Sequence, residues 1–109
     1  MKNSLGEFEE IVLLLVAAQH DEAYGLSITT AIEKKLRRSV TMSSVHTALY
    51  RLEEKGFVQS RVGGATSERG GRRKRFFIIT AIGKAALTAS REARNQLWSM
   101  IPKFVMEGL

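Results

Sequence analysis

Residues 41–79 read TMSSVHTALYRLEEKGFVQSRVGGATSERGGRRKRFFII, and the pattern changes twice within them. From about Ser43 to Lys55, Val45, Ala48, Leu49 and Leu52 recur at the spacing of one helix face. Thr41, Ser43 and Ser44 compete for the N-cap, and Gly56 is the stop signal. The other side of this helix carries Thr47, Tyr50, Arg51 and Glu54, with His46 at its edge. Two strand candidates follow, Phe57–Val62 and Arg73–Ile79. Between them, Gly63-Gly64-Ala65-Thr66-Ser67-Glu68-Arg69-Gly70-Gly71 has glycine at both ends and small polar residues within. That composition predicts a hairpin loop longer than a tight turn.

Upstream, two more helices are expected. Ser4-x-x-Glu7 has capping-box spacing and opens a helix running to about His20. Leu5, Phe8, Ile11, Val12, Leu15 and Val16 form its stripe, and Leu13 and Leu14 widen it beyond one face. Such a helix is expected to bury against its own core and against a second subunit. Asp21–Gly25 reads as a turn, with Tyr24 and Gly25 packing and starting the next segment. That second helix runs from Tyr24 to about Arg38, with Leu26, Ile28, Ala31, Ile32 and Leu36 on one face and Arg37 and Arg38 in its last turn.

Downstream, Thr80 caps a fourth helix from about Ala81. Ala86, Ala89 or Ser90, Ala93, Leu97 and Met100 or Ile101 recur every three to four residues, a coiled-coil-like seam. Pro102 disfavours helical geometry at Ile101, so the helix ends, kinks or restarts there. Met42, Met100 and Met106 read as core or interface residues.

Charge sharpens the picture. The chain has 109 residues, 17 Lys+Arg against 11 Asp+Glu, and a formal charge of +6. Residues 56–84 hold Arg61, Arg69, Arg72, Arg73, Lys74, Arg75 and Lys84 against Glu68 alone, and the rest of the chain is balanced. A basic segment this localised points to a polyanion, with phosphate the usual one. Its bland counterpart is a solvated loop kept for solubility.

Several classes are excluded. The length suits one domain with a real core, and 44% hydrophobic residues argue against disorder. Without cysteine, disulfide scaffolds, thiol catalysis and thiolate zinc sites are all ruled out. His20 and His46 are too distant in sequence to suggest a metal site, and no metal or cofactor is expected. The longest apolar run, Ile11–Ala18, is far short of the ~20 residues that span a bilayer. Glu7, Glu9 and Glu10 precede it where a signal peptide needs positive charge, so no membrane association and a cytoplasmic location are expected. Phosphate-loop, serine-elbow and zinc-protease motifs are missing, and no enzyme is expected.

Three helices, a basic hairpin and a last helix make a mainly α chain with a small β-hairpin: a winged helix-turn-helix plus a C-terminal dimerisation helix. The expected division is residues 1–80 for DNA binding and 81–109 for dimerisation, in one compact unit. A helix fits the major groove of duplex DNA, and its N-terminal half reaches base edges. Arginines on the hairpin lie along phosphates or in the adjacent minor groove. The DNA-binding set is Ser43, Ser44, His46, Thr47, Tyr50 and Arg51 on the third helix, with Arg69, Arg72, Arg73 and Lys74 on the wing. His46 has three available roles: phosphate contact, base contact or neutral surface residue. Strand alternation points one of the wing cations away from the others.

These residues resemble the PadR family of bacterial transcriptional regulators. The resemblance runs through Leu5-Gly6-Glu7-Phe8-Glu9, Tyr24-Gly25-Leu26-Ser27-Ile28, Leu49-Tyr50-Arg51-Leu52-Glu53-Glu54-Lys55-Gly56, Gly70-Gly71-Arg72-Arg73-Lys74-Arg75-Phe76-Phe77 and Ile79-Thr80-Ala81-Ile82-Gly83, covering about residues 5–87. His46 stands where many relatives have tyrosine, and Phe76-Phe77 replace the usual wing tyrosines. The resemblance implies a homodimeric repressor of an inverted-repeat operator, paired through the last helix and part of the first. It also implies release by a planar aromatic effector stacked on Trp98, whose plainer role is dimer packing. Two rivals stand beside it. One is a winged-helix protein-interaction module without sequence-specific DNA binding. The other is a single-strand binder, disfavoured because Phe76 and Phe77 are expected in the core.

Overall fold

The runs of periodic apolar residues become the elements that bury them. The computed structural model describes residues 4–63 and 73–108. In chain order these form α1 (Glu7–Gln19), a 3₁₀ turn (His20–Glu22), β1 (Ala23–Tyr24), α2 (Gly25–Leu36), α3 (Met42–Glu54), β2 (Val58–Val62), β3 (Arg75–Ile79), α4 (Ala81–Ser99) and α5 (Lys103–Met106). The core draws Val12, Leu13 and Val16 from α1, Ile28 and Ile32 from α2, and Val45, Ala48, Leu49 and Leu52 from α3. Ala23, Phe57, Val58 and Phe77 close it from the sheet side.

The expected hairpin is present, and a third strand joins it. The antiparallel sheet has the order β1-β3-β2, with Ala23 opposite Phe77, Tyr24 opposite Phe76, and Val58 through Val62 opposite Ile79 through Arg75. β1 falls in the stretch that reads as a turn. Two residues are too few to show alternation, so only pairing with β3 reveals it.

Helix ends shift for identifiable reasons. α1 starts at Glu7, and the bond that caps it runs from Gly6 N to Glu9 Oε1 at 3.3 Å, not from the Ser4–Glu7 pair. Ser4 lies outside the helix, where its carbonyl accepts from Lys55 Nζ at 2.7 Å. The acidic first turn of Glu7, Glu9 and Glu10 suits the positive helix end. α2 stops at Leu36, two residues before the expected Arg38, and Arg37 takes a left-handed conformation (φ 50°, ψ 43°). Arg38 is thereby turned towards α1, pairing with Glu7 at 3.5 Å and lying over the Phe8 ring.

α3 is capped as its sequence allows. Of three competing residues Thr41 serves, its hydroxyl accepting from Ser44 N at 3.0 Å. At the other end Gly56, with φ +80°, closes a Schellman motif: Gly56 N donates to Glu53 O at 3.0 Å and Phe57 N to Leu52 O at 2.9 Å. Phe57 is consequently turned into the core ahead of β2.

Thr80 caps α4 as expected, accepting from Gly83 N at 3.1 Å and donating to Gly56 O at 2.6 Å. Buried Gly83 presses its α-carbon against the Phe57 carbonyl, where no β-carbon fits. Ala86 and Leu87 pack on the core, but Leu97, Trp98 and Met100 are exposed. The helix breaks after Ser99 and restarts beyond Pro102, as the proline predicts. No described helix is long and apolar enough to cross a membrane. Among the described residues, no cluster of His, Asp and Glu could hold a metal ion.

Candidate nucleic-acid interface

The two faces of α3 are separated cleanly. Val45, Ala48, Leu49 and Leu52 are buried, while Ser43, Ser44, Thr47, Tyr50 and Arg51 are exposed. Near the N-terminus the hydroxyls bond locally: Ser44 Oγ donates to Thr41 O at 2.8 Å and Thr47 Oγ1 to Ser43 O at 3.0 Å. Each hydroxyl still has lone pairs to offer a donor, while Ser44 and Thr47 donate outward only by giving up these local bonds. Among the described residues, Tyr50 stands 51% exposed.

His46 differs from its neighbours. It is half-buried, and its ring lies over Gly25 at the start of α2. A β-carbon at Gly25 would fall 2.7 Å from both Cε1 and Nε2 of that ring. The ring also tilts against Tyr50, centroids 6.1 Å apart. Gly25 therefore serves α3 as well as α2, a role that local sequence could not reveal.

The base of the hairpin is tied to the helical body. Ser60 Oγ donates to Glu53 Oε2 at 2.6 Å, and Arg75 Nη1 donates to the same Ser60 oxygen at 2.9 Å. These bonds fix β2 and β3 against the end of α3. Beside them runs a ladder of rings and cations. The Arg61 guanidinium lies 4.9 Å from the Phe76 ring, Phe76 meets Tyr24 edge-on, and Lys74 Nζ lies 4.4 Å from the Tyr24 centroid. Cation–π contacts hold these cations in place without cancelling their charge.

Strand alternation splits the two phenylalanines. Phe77 enters the core, whereas Phe76 turns to the opposite face under Arg61, which corrects the expectation that both serve the core. Arg73 and Lys74 are exposed just before β3, which begins at Arg75, two residues later than the sequence predicts. Arg69 and Arg72 lie outside the described residues, as does most of the loop between the strands. Three further cations stand beside the residues predicted from sequence: Arg61 and Arg75 on the hairpin, and Arg38 near the start of α3. Arg61 faces Phe76 through the β2–β3 register, which the sequence alone does not give. Arg38 borders a groove of about 410 Å³ with Phe8, Val40, Thr41 and Ser44, at the N-terminus of α3.

Trp98 is 62% exposed on α4. It borders a groove of about 390 Å³ between α1 and α4 together with Glu10, Leu14, Leu87 and Arg94. Within the described chain, then, Trp98 is available for a partner or a ligand.

Comparison with known proteins agrees with this architecture. A family model for the transcriptional regulator PadR-like family matches residues 12–89. A PadR-like transcriptional regulator from Bacillus cereus superposes with a TM-score of 0.71 at 19% identity, covering 94% of this chain and 93% of its own. A transcriptional regulator from Clostridium thermocellum gives 0.67 at 25% identity, over 89% of this chain and 88% of its own. Bacillus subtilis PadR, solved in complex with operator DNA, gives 0.64 at 22% identity, over 89% of this chain and 51% of its own. A sequence comparison with curated proteins gives no match. The fold is thus that of a winged-helix regulator rather than an enzyme, and the chain belongs to the PadR-like family of transcriptional regulators.

Proposed function

We propose that this chain is a homodimeric transcriptional repressor that binds an inverted-repeat operator through two copies of α3. The observation that carries the reading is the exposed polar face of α3 in a chain of this family, flanked by a braced cationic hairpin. Bacillus subtilis PadR, a protein of similar fold, binds operator DNA, which supports the same partner here. Ser43, Ser44, Thr47, Tyr50 and Arg51 read bases or phosphates from the major groove. His46 braces α3 and reaches the DNA only along its edge. Arg69, Arg72, Arg73 and Lys74 grip the backbone or the minor groove.

Residues 1–80 bind DNA, and residues 81–109 pair two copies. The exposed stripe of Leu97, Trp98, Met100 and Ile101, with Leu14 on α1, supports that pairing. Two recognition helices then enter successive major grooves about 34 Å apart. A planar aromatic effector stacked on Trp98 changes their separation and releases the operator. Such a repressor acts in the cytoplasm.

A gel-shift titration on the DNA upstream of the protein's own gene tests this reading. The expected result is retention of that duplex over a scrambled one, weakening steeply with salt. Equal affinity for both, or none, contradicts it.

A further inference from the structure

We propose that Glu10 is a positioning residue whose carboxylate sets the direction of α4, and through it the spacing of the two recognition helices. The proposal rests on the dimeric, operator-spanning reading above. The Glu10 side chain projects from α1, is only 14% exposed, and reaches across to two turns of α4. Its Oε2 accepts from Ser90 Oγ at 3.0 Å, and its Oε1 accepts from Arg94 Nη2 at 2.9 Å. Ser90 and Arg94, four residues apart, lie on one helix face, so a single carboxylate satisfies both. Each bond has its own preferred direction, so the two together fix where α4 lies against α1.

Where this tie falls along α4 gives it leverage. Gly83 fixes the root of the helix against Phe57, and Ala86 and Leu87 follow on the core. Glu10 is the next attachment, and residues 95–100 beyond it are exposed. Apolar burial is non-directional and tolerates a small slide. Two directed bonds to one carboxylate do not. Arg94 lies about 16 Å along the helix from Gly83, so a slip of about 1 Å there tilts α4 by roughly 4°. In a two-fold dimer the tilts of the two subunits are related by symmetry and both move the DNA-binding units. The angle is therefore set at Glu10, far from any residue that touches DNA.

Duplexes carrying the operator's two half-sites, with the spacer varied one base pair at a time, provide the test. Binding is measured for the unaltered protein and for Glu10→Ala, Glu10→Gln and Arg94→Ala, alongside melting temperatures. The unaltered protein is expected to prefer one spacer. Glu10→Ala and Arg94→Ala should reduce that preference by about ten-fold while leaving affinity for a single half-site unchanged. Glu10→Gln, which keeps an acceptor oxygen, should recover part of it. Arg94 is 61% exposed on its side chain, so Arg94→Ala carries the test if Glu10→Ala does not fold.

Retention of the full spacer preference in Arg94→Ala, or in a folded Glu10→Ala, overturns the proposal, even with a lowered melting temperature. Glu10 would then merely stabilise. Failure of the unaltered protein to bind any of these duplexes overturns the DNA-binding reading itself, and the proposal with it.

Discussion

The ring of Tyr24 meets the ring of Phe76 edge-on, centroids 5.7 Å apart and planes at 69°. This contact joins the start of α2 to the outer face of the hairpin, and the two rings carry Lys74 and Arg61 respectively. Part of the wing's charge is thus held by aromatic side chains, one of which, Tyr24, is rooted at the start of α2.

Tyr24→Ala should accordingly weaken DNA binding by about five- to thirty-fold, since a cation–π contact is worth ~0.5–1 kcal/mol at an exposed site and the edge contact adds a similar amount. Tyr24→Phe keeps the ring and should bind like the unaltered protein. Fluorescence anisotropy at fixed salt distinguishes the two. Equal loss in both variants would point to the hydroxyl instead.

Gly25→Ala should destabilise the fold by ~1–3 kcal/mol, because its methyl group occupies the space of the His46 ring. Adding His46→Ala removes the clash, and the double variant should recover part of the loss. Urea unfolding of the single and double variants measures the coupling. Simple additivity would mean that the two residues do not compete for space.

The exposed apolar stripe on α4 predicts self-association. Sedimentation should give twice the 12.2 kDa chain mass. Leu97→Asp, placing a charge where a dimer excludes water, should shift the species to monomer at micromolar concentration. A monomer for the unaltered protein would contradict the pairing.

Trp98 is the chain's only tryptophan, so its emission reports one site. Planar aromatic compounds should quench it saturably and lower operator affinity in the same titration. No change across a broad panel counts against the effector role.

Much of this was legible locally. The buried face of α3, its cap among Thr41, Ser43 and Ser44, and the stop at Gly56 all follow from residues within one or two turns. The break at Pro102 is equally local. What sequence hid depends on distant partners. β1 exists only because Phe76 and Phe77 lie beside it. α2 ends early at Arg37 while Arg38 turns to Glu7 and Phe8, far back in the chain. Glu10 meets Ser90 and Arg94 across 80 and 84 residues. Of the site, the exposed face of α3 followed from periodicity, whereas the half-buried setting of His46 required the α2–α3 packing.

The central claim is a division of labour: α3 selects the sequence and the wing supplies grip. Anisotropy titrations of operator and scrambled duplex over a salt series, for the unaltered protein, Arg51→Ala and Arg73→Ala, test it most directly. Arg51→Ala should cut the operator-to-scrambled ratio by about ten-fold or more while keeping the salt slope nearly unchanged. Arg73→Ala should weaken both duplexes alike and lower the slope by about one. If Arg73→Ala abolishes discrimination, or Arg51→Ala leaves it intact, the assignment of roles is wrong.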